Sequence, residues 1–512
     1  MQQDTQRFGS RWGMMLAMLG MAVGTGNIWR FPRIAAANGG GEFLVAWIVF
    51  LLLWSIPLVL LEFGLGRKLR CGPVRAFAQV LGPRFAWLGA FAVLVTCMIG
   101  FYYSVVAGWT FRFAAGALAG ELPGERPGEL WQSFEGTPAS LLTHALAIGL
   151  ATFVVWRGVG AVERVAKVLM PLLVVLVLVL AARALFLPGA GDGLRYLFGV
   201  DWGELGKAKI WLEALSQNAW DTGAGWGLVL CYAAYMREGE DTAQNGVILP
   251  TANNLISLTA GVMVLCTVFS VVPTLAANLA QDPEALAAYP GLADALQGQA
   301  ELSPELMRQA IFAQNNEGLT FVWMPELFAT LAGGRLFMIL FFVALAVAAL
   351  TSLISMVVLV ARVLTDMGVP NQRAVLLVGG ACFVFGAPSA LVPAILANQD
   401  WVWGVALMLS GLFFSFLAIK LGASRFREEE LNHADSKLRI GAWWDVIIAF
   451  LVPVQALVLF GWWLVQAREW DPDWLAPFGK TNVGTVLLQL SIAFVVLLAC
   501  NRFLARRSLG ER

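Results

Sequence analysis

Apolar runs of about 20 residues recur from one end of this 512-residue chain to the other. Each run is long enough for a helix to cross the roughly 30 Å hydrocarbon layer of a bilayer. The chain is 59% hydrophobic and 13% charged, with a mean hydropathy of +0.73, and a soluble core does not account for these values. The sequence therefore predicts an all-α polytopic membrane protein. About twelve spans are expected, centred on residues 13–36, 41–66, 86–118, 139–156, 163–186, 208–236, 244–276, 335–364, 373–396, 401–421, 442–466 and 482–504.

Lysine and arginine are concentrated in alternate loops, and cytoplasmic loops of membrane proteins carry this excess of basic residues. The basic segments are 66–75, 156–167, 420–439 and 501–512. We therefore expect a multi-pass protein of the cell inner (plasma) membrane, in contact with membrane lipid and with both termini cytoplasmic. Residues 1–12 would form a cytoplasmic tail. Residues 278–333 would form an extracellular loop of short helices, since the segment is short and proline-split for a soluble domain.

The stretch LGMAVGTGNIWRFP (19–32) places two glycines, an asparagine, an arginine and a proline inside the first span. In hydrocarbon, non-helical backbone survives only where protein satisfies its polar groups or where it lines a cavity. A second Gly-x-Gly, in GAGW (223–226), lies in the sixth span. Close helix packing explains either glycine pair alone. Five spans apart, however, the second copy runs opposite to the first, which predicts inverted repeats with a binding site at the two broken helices.

The predicted repeats cover residues 13–186 and 208–421, and residues 439–512 supply two additional helices and a cytoplasmic tail. Six cysteines and two histidines form no disulfide framework, metal cluster or catalytic triad in the sequence, so an intramembrane enzyme is disfavoured. A net charge of zero gives no reason to expect nucleic acid as a partner. A channel or a sensor that binds without turnover stays open as an alternative, and saturable uptake would separate a carrier from both.

Several motifs, in order along the chain, resemble the neurotransmitter:sodium symporter family, of the bacterial amino-acid transporter type. They are GNIWRFP (26–32), NGGGEF (38–43), FYYSVVAGWT (101–110), the break in span six, TANN (251–254), ALTS (349–352) and Asp366. The resemblance covers the chain to about residue 420. It implies two inverted five-helix repeats with discontinuous helices 1 and 6, an architecture for which this family is itself a standard example. It also implies transport by alternating access.

The resemblance implies two sodium sites built from oxygen ligands, which hard cations prefer. The second site maps onto the carbonyls of Gly20, Val23 and Ala348 and the hydroxyls of Thr351 and Ser352. The first site maps onto the Ala22 carbonyl, Asn27, Asp221 and Asn253.

Asp221 departs from the family, which usually has Thr or Ser at this position. At position 257 the family has Ser in its chloride-dependent members and an acid in the others. This chain has Ser257, but Trp47 replaces the usual Tyr partner of chloride. Since a buried carboxylate needs a compensating cation or hydrogen bonds, we hypothesise that Asp221 supplies the fixed negative charge and that chloride is not required. Two alternatives stay open: Asp221 replaces the carboxylate of an amine substrate, or it is a protonated, neutral ligand.

The substrate site also follows from the resemblance. Backbone N–H groups at Thr25 and Gly26 would face a substrate carboxylate at the positive end of a half-helix, and Tyr103 would bond to the same group. Gly24 favours an amino acid, because relatives that carry amines have Asp there. The remaining pocket residues would be Met21, Ile99, Trp220, Asp221, Gly223, Trp226, Ser352 and Met356.

The gates complete the set of implied residues. Trp220 and Tyr103 would form an aromatic lid, with Arg30 and Asp400 as an ion pair above it. On the cytoplasmic side, Asp366 would pair with Arg7 of the tail, or with Arg11 in reserve. Glu62 would brace the freed N–H groups of the break in span six. The sequence thus predicts a sodium-coupled importer of a small neutral, apolar amino acid. It fixes neither the exact substrate, the sodium stoichiometry nor the oligomeric state.

Overall fold

The computed structural model describes residues 7–124, 126–282, 302–470 and 473–510, together with Leu286, Tyr289 and Leu292. Across these residues the chain is helical and contains no β-strand. Residues 1–6 of the predicted tail and most of 283–301 in the predicted extracellular loop lie outside the described residues.

Ten continuous helices are long and apolar enough to cross a membrane, counted over the described residues. Together with two interrupted helices they make the twelve predicted spans. Spans 2–5 and 7–12 are Gly41–Leu69, Pro83–Ala119, Pro138–Trp156, Val159–Leu185, Thr242–Leu279, Gly334–Asp366, Asn371–Leu391, Pro393–Leu421, Trp443–Arg468 and Val483–Leu509. Span 1 consists of Arg11–Ala22, then a π-helical turn Gly26–Arg30 that continues into Phe31–Ala37. Span 6 consists of Ala208–Asp221 and Leu228–Ala233.

The even number of spans leaves both termini on one side, which we call the inner side. The opposite face is the outer side. Predicted and observed bounds differ most at spans 9 and 10, where span 10 begins at Pro393 rather than near residue 401. Pro393 forces its predecessor out of the helical region, and Val392 is extended at φ −130° and ψ 96°. The boundary therefore follows proline chemistry, whereas the hydropathy pattern is continuous across it.

Shorter helices cap the bundle at both ends. On the inner side, Pro73–Leu81 follows span 2. On the outer side, the described part of the predicted loop contains the helices Pro304–Ala313, Gly318–Trp323 and Met324–Ala329, which confirms short helices over 302–333. Further short helices are Glu129–Phe134, Ala190–Phe198 and Ala423–Phe426.

The two interrupted spans lie inside the bundle, and spans 4, 9, 11 and 12 lie at its periphery. Peripheral helices keep large apolar side chains exposed, among them Phe153, Phe450 and Val495. In a bilayer these exposed apolar side chains would face the apolar lipid chains. Buried polar side chains gather instead beside the breaks, where Asn27, Asp221 and their neighbours are almost fully buried. The fold thus surrounds a polar centre at the two breaks with apolar side chains.

Glu317, in the outer loop, provides a test of how the loop packs. Burial, with a smaller contribution from the charges of Asp400 and Glu135, raises the pKa of Glu317 to about 7. The folded chain therefore holds a proton there that the unfolded chain releases near pH 4.5, so this contribution to stability is lost as pH rises through 7. We expect Glu317→Gln to raise the thermal midpoint by at least about 2 °C at pH 8 and to leave it unchanged near pH 4.5.

The measurement is a thermal unfolding scan in detergent at both pH values. Glu305→Gln is the matched control, because Glu305 is an exposed carboxylate of the same loop. Equal shifts at the two pH values for Glu317→Gln would contradict the assignment.

Candidate functional site

The break in span 1 covers Val23 to Thr25. Val23 adopts an extended conformation and its N–H ends the first half-helix on the Leu19 carbonyl, at 2.7 Å. Side chains satisfy the next two N–H groups. Gly24 donates to Asn27 Oδ1 at 2.8 Å, and Thr25 donates to the Tyr103 hydroxyl at 3.1 Å. The backbone opened by Gly24 is therefore held by one residue of its own span and one of span 3.

The break in span 6 depends on glycine. Gly223, Gly225 and Gly227 have φ of 69°, 83° and 79°, values that other residues adopt only with strain. Glu62 of span 2, which is fully buried, accepts hydrogen bonds from the Gly225 N–H at 2.7 Å and the Leu230 N–H at 3.1 Å. One carboxylate thus connects the middle of the unwound segment to the first turn of the second half-helix.

A cavity of about 40 Å³ lies between the two breaks. Nine of the eleven predicted pocket residues line it: Met21, Gly26, Tyr103, Trp220, Asp221, Gly223, Trp226, Ser352 and Met356. Thr25 and Ile99 are buried outside the lining. The structure adds Ala22, Gly24, Asn27 and Leu228 to the lining. Leu228 was missed as a pocket residue, although its position directly after the glycine-rich break was available as a signal.

Gly24 is required by close contact with its neighbours and not by a left-handed backbone. A Cβ at this position would lie 2.8 Å from the Tyr103 hydroxyl and 2.9 Å from Ser352 Oγ. Any side chain would therefore displace two residues that line the cavity. Gly223 is less restricted by its neighbours, since a Cβ there would meet only the flexible end of Met21, at 3.3 Å.

Asp221 is the one acidic side chain in the lining. Its Oδ2 accepts hydrogen bonds from Gln217 Nε2 at 2.6 Å and Ser257 Oγ at 3.1 Å. Its Oδ1 has no hydrogen-bond partner within the described part of the chain. That atom faces Gly26, where a Cβ would lie 3.0 Å away. One oxygen is thus anchored, and the other is directed towards span 1 and the cavity.

The residues predicted for the first sodium site are connected by hydrogen bonds. Asn27 Nδ2 donates to Asn253 Oδ1 at 2.9 Å and to Ser257 Oγ at 2.7 Å, and Ser257 in turn donates to Asp221. Ala22 lines the same cavity. The set contains amide, carbonyl and carboxylate oxygens, which is the chemistry that a hard cation requires.

The residues predicted for the second sodium site meet where span 8 crosses the end of the first half of span 1. Ser352 Oγ lies 3.3 Å from each of the carbonyl oxygens of Gly20 and Val23. Thr351 Oγ1 lies 3.0 Å from the Ala348 carbonyl oxygen. All five oxygens are neutral and buried, so a sodium ion among them would be compensated by dipoles alone.

Trp220 separates the inner cavity from a second cavity of about 160 Å³ on the outer side, and it lines both. Its ring packs edge-to-face against Trp226, with centroids 5.5 Å apart. Tyr103 lines only the inner cavity, with its hydroxyl on Thr25. Trp220 therefore lies between the two cavities, and its aromatic contact is with Trp226, where the sequence predicted Tyr103.

The predicted outer ion pair is not formed. Arg30 and Asp400 both lie in the described part of the chain and line the outer cavity, but no N–O contact within 4 Å joins them. Arg30 donates to Ser216 Oγ at 3.1 Å and lies over the Trp220 ring at 5.6 Å. Asp400 accepts from the Tyr102 hydroxyl at 3.0 Å. Each charge has found a polar or aromatic partner in place of the other.

The predicted inner ion pair also differs. Asp366 pairs with Arg362, one turn earlier on span 8, at 3.1 Å, and accepts from the Gly72 N–H at 2.6 Å. Arg7 pairs instead with Glu238 at 2.8 Å. Arg11 donates to Gln244 and Asn245. An arginine at i−4 is already within reach of Asp366 on its own helix, which explains the difference, and that spacing was visible in the sequence.

Glu62 offers a direct test of the break in span 6. Removing its carboxylate in Glu62→Ala leaves two buried N–H groups without acceptors, at about 1–3 kcal/mol each. We expect a lower thermal midpoint and loss of uptake, and a smaller effect for Glu62→Gln, which keeps one acceptor. Glu238→Ala, which removes an exposed carboxylate, is the control and should behave as the wild type. A Glu62→Ala variant with wild-type stability would contradict the bracing role.

Comparison with known proteins agrees with this architecture. The model of the sodium:neurotransmitter symporter family matches residues 5–140 and 136–506. An uncharacterized sodium-dependent transporter of Bacillus subtilis is 27% identical over 482 residues, covering 90% of this chain and 98% of the relative. The sodium-dependent serotonin transporter of Drosophila melanogaster is 25% identical over 535 residues, covering 92% and 80%. The crystal structure of MhsT in complex with L-phenylalanine is 28% identical, with a TM-score of 0.73 over 89% of this chain and 99% of MhsT.

Proposed function

Because this chain belongs to the sodium:neurotransmitter symporter family, we propose that it imports a small neutral, apolar amino acid together with sodium and without chloride. The family is one of transporters, so the chain is a multi-pass, sodium-dependent symporter and not an enzyme. The identity of the substrate, the direction of transport, the plasma-membrane location with cytoplasmic termini and the independence from chloride are our proposals.

The cavity between the two breaks carries the substrate proposal. The second half of span 1 begins at this cavity, so its N-terminal dipole favours a carboxylate there. Gly24 leaves no side chain to compete for that position. Met21, Trp226 and Met356 line the rest of the cavity and suit an apolar side chain. The amino acid bound to the related MhsT supports the same substrate class.

Asp221 carries the proposal on chloride. Its carboxylate already accepts the hydrogen bond from Ser257, the residue type that accompanies chloride in relatives. A fixed carboxylate next to the first sodium set would balance the sodium charge in a site that excludes water. A second anion at the same position would be repelled. In this proposal the Asp221 carboxylate takes the place of the chloride ion that would otherwise have to bind.

Sodium then drives transport in our scheme. Sodium among the oxygens of both sites would favour the outward-facing state, and substrate would allow Trp220 to close over the cavity. Each sodium ion that enters gains about 2.3 kcal/mol per 100 mV of inside-negative potential. Loss of sodium from the second set to the inner side would free the carbonyls of Gly20 and Val23 and release the substrate.

An amine substrate is the second candidate, and one observation favours it. Asp221 Oδ1 is buried, faces the cavity and lacks a partner among the described residues. A ligand ammonium could fill that position, in which case the substrate would have no carboxylate. The two candidates differ by one chemical group.

A panel of neutral amino acids beside their decarboxylated amines separates the candidates. We expect leucine or alanine, but not isoamylamine or ethylamine, to raise the thermal midpoint of the purified protein in sodium and not in potassium. A ligand at 100 times its Kd adds about 2.7 kcal/mol of stability. Stabilisation confined to amines would overturn the amino-acid proposal and assign Asp221 to the substrate.

Replacement of chloride by gluconate tests the role of Asp221. We expect sodium-driven uptake by wild-type proteoliposomes to be unchanged. In gluconate, the Asp221→Asn variant should show sodium-driven uptake reduced at least about tenfold, which corresponds to roughly 1.4 kcal/mol. Chloride should restore part of this uptake. Asp400→Asn is the control, since it removes a carboxylate that lines the outer cavity and lies outside the Ser257 network. A wild-type protein that requires chloride would refute the built-in anion.

A further inference from the structure

The N-terminal tail is held to the inner side by contacts that the two sodium sets and the cavity do not involve. Phe8 is 2% exposed, stacks on Tyr232 at 6.0 Å between centroids and packs edge-on against Tyr235 at 6.3 Å. Its N–H donates to the Tyr235 carbonyl at 3.1 Å. The tail therefore covers the second half of span 6 on the inner side.

Glu163, near the start of span 5, makes the charged contact to this tail. Its Oε2 accepts from the Gly9 N–H at 2.6 Å, and its Oε1 accepts from Ser10 Oγ at 3.0 Å. Lys167 approaches Oε1 at 2.6 Å and compensates the charge. The Glu163 side chain is 5% exposed. Hydrogen bonds to an ionised acceptor in so buried a place are among the stronger ones a protein makes.

The tail sequence is shaped around this carboxylate. A Cβ at Gly13 would lie 2.0 Å from Glu163 Oε1, and a Cβ at Gly9 would lie 3.3 Å from Oε2. Glycine inside a helix lowers its stability relative to alanine, yet Gly13 lies within the first half of span 1. Ser10 also caps that helix through the Gly13 N–H, at 3.0 Å. The carboxylate and the start of span 1 therefore fit each other closely.

The first half of span 1 is joined to the second half only through the unwound Val23–Thr25 segment, so in the proposed transport cycle it can move on its own when the inner side opens. It lies between spans 5 and 8: a Cβ at Gly20 would approach Met170 and Thr351 to 3.1 Å each. Separation of span 1 from span 5 breaks both bonds to Glu163. The exposed Arg7–Glu238 pair contributes little by comparison, and Asp366 is bonded to Arg362 and Gly72.

We propose that Glu163 is the latch of the inner gate, a positioning residue that keeps the cavity closed to the cytoplasm by holding the tail at Gly9 and Ser10. This inference rests on the proposed transport function. Glu163 and the tail at Gly9 and Ser10 would thus have the role that the family resemblance implies for the pair of Asp366 and Arg7. It follows that neutralising Glu163 shifts the protein towards the inward-facing state without touching the residues that bind sodium or substrate.

The native cysteines allow the shift to be measured in the full chain. Cys231 is buried in the second half of span 6 and precedes Tyr232, the residue on which Phe8 of the tail stacks. Cys500 is exposed and Cys266 is buried elsewhere, so they serve as positive and negative references. Membranes are treated with a small maleimide, and each cysteine is quantified by peptide mass spectrometry, in sodium and in potassium.

We expect Glu163→Gln to raise Cys231 labelling in potassium at least about threefold, with labelling of Cys266 unchanged and sodium reducing the effect. Gly13→Ala should do the same, because the methyl group displaces the carboxylate while the charge remains. It also serves if Glu163→Gln folds poorly. Arg7→Gln is the control and should match the wild type.

Unchanged Cys231 labelling in both Glu163→Gln and Gly13→Ala, with wild-type thermal midpoints, would overturn the latch. Raised labelling of Cys266 as well would mean general loosening, which also overturns it. Labelling of the wild type distinguishes failure of the latch from failure of the transport proposal. If Cys231 labelling in the wild type does not respond to sodium, alternating access is refuted. If it responds to sodium but the two variants label as the wild type does, only the latch is refuted.

Discussion

The structure depends on satisfying peptide groups that two membrane helices leave unpaired. In hydrocarbon each exposed N–H or C=O costs several kcal/mol, so an unwound segment survives only if side chains replace the missing helix bonds. Asn27 and Tyr103 do this for span 1, and Glu62 does it for span 6. The same unwinding turns peptide dipoles towards a common point. The cavity between the breaks is therefore a consequence of how the backbone is satisfied.

The charge of Asp221 in this cavity is stabilised by neighbouring amide and hydroxyl groups. Asp221 is the one acid in the cavity lining, and amide and hydroxyl groups connect it to Asn27 and Asn253 through Ser257. Low dielectric strengthens each of these interactions and makes an unpaired charge costly. The second sodium set, by contrast, contains only neutral oxygens. A cation at the first proposed site would be compensated by a formal charge and a cation at the second by dipoles, and we expect the two sites to differ in how they respond to substitution.

The sequence predicts the helices far better than the contacts between side chains. All twelve spans follow from hydropathy, and both breaks follow from glycine in apolar runs. Nine of the eleven residues predicted for the pocket line the cavity. The predicted ion pairs are not formed. Arg30 is bonded to Ser216 of span 6, and Asp400 is bonded to Tyr102 of span 3. Asp366 is paired with Arg362, one turn earlier on the same helix. Motifs identify the helix to which a residue belongs. A long charged side chain can reach several partners, however, and local packing determines which of them it bonds to.

The first half of span 1 connects these observations. Its twelve residues, Arg11–Ala22, span about 18 Å at 1.5 Å per residue. At the cavity end its last carbonyls approach Ser352. At the inner end the adjoining tail is bonded to Glu163. A short helix with no internal break transmits displacement from one end to the other. Sodium bound at one end and the carboxylate at the other would therefore favour the same position of the helix. Loss of either contact would then make that position less stable and weaken the other contact.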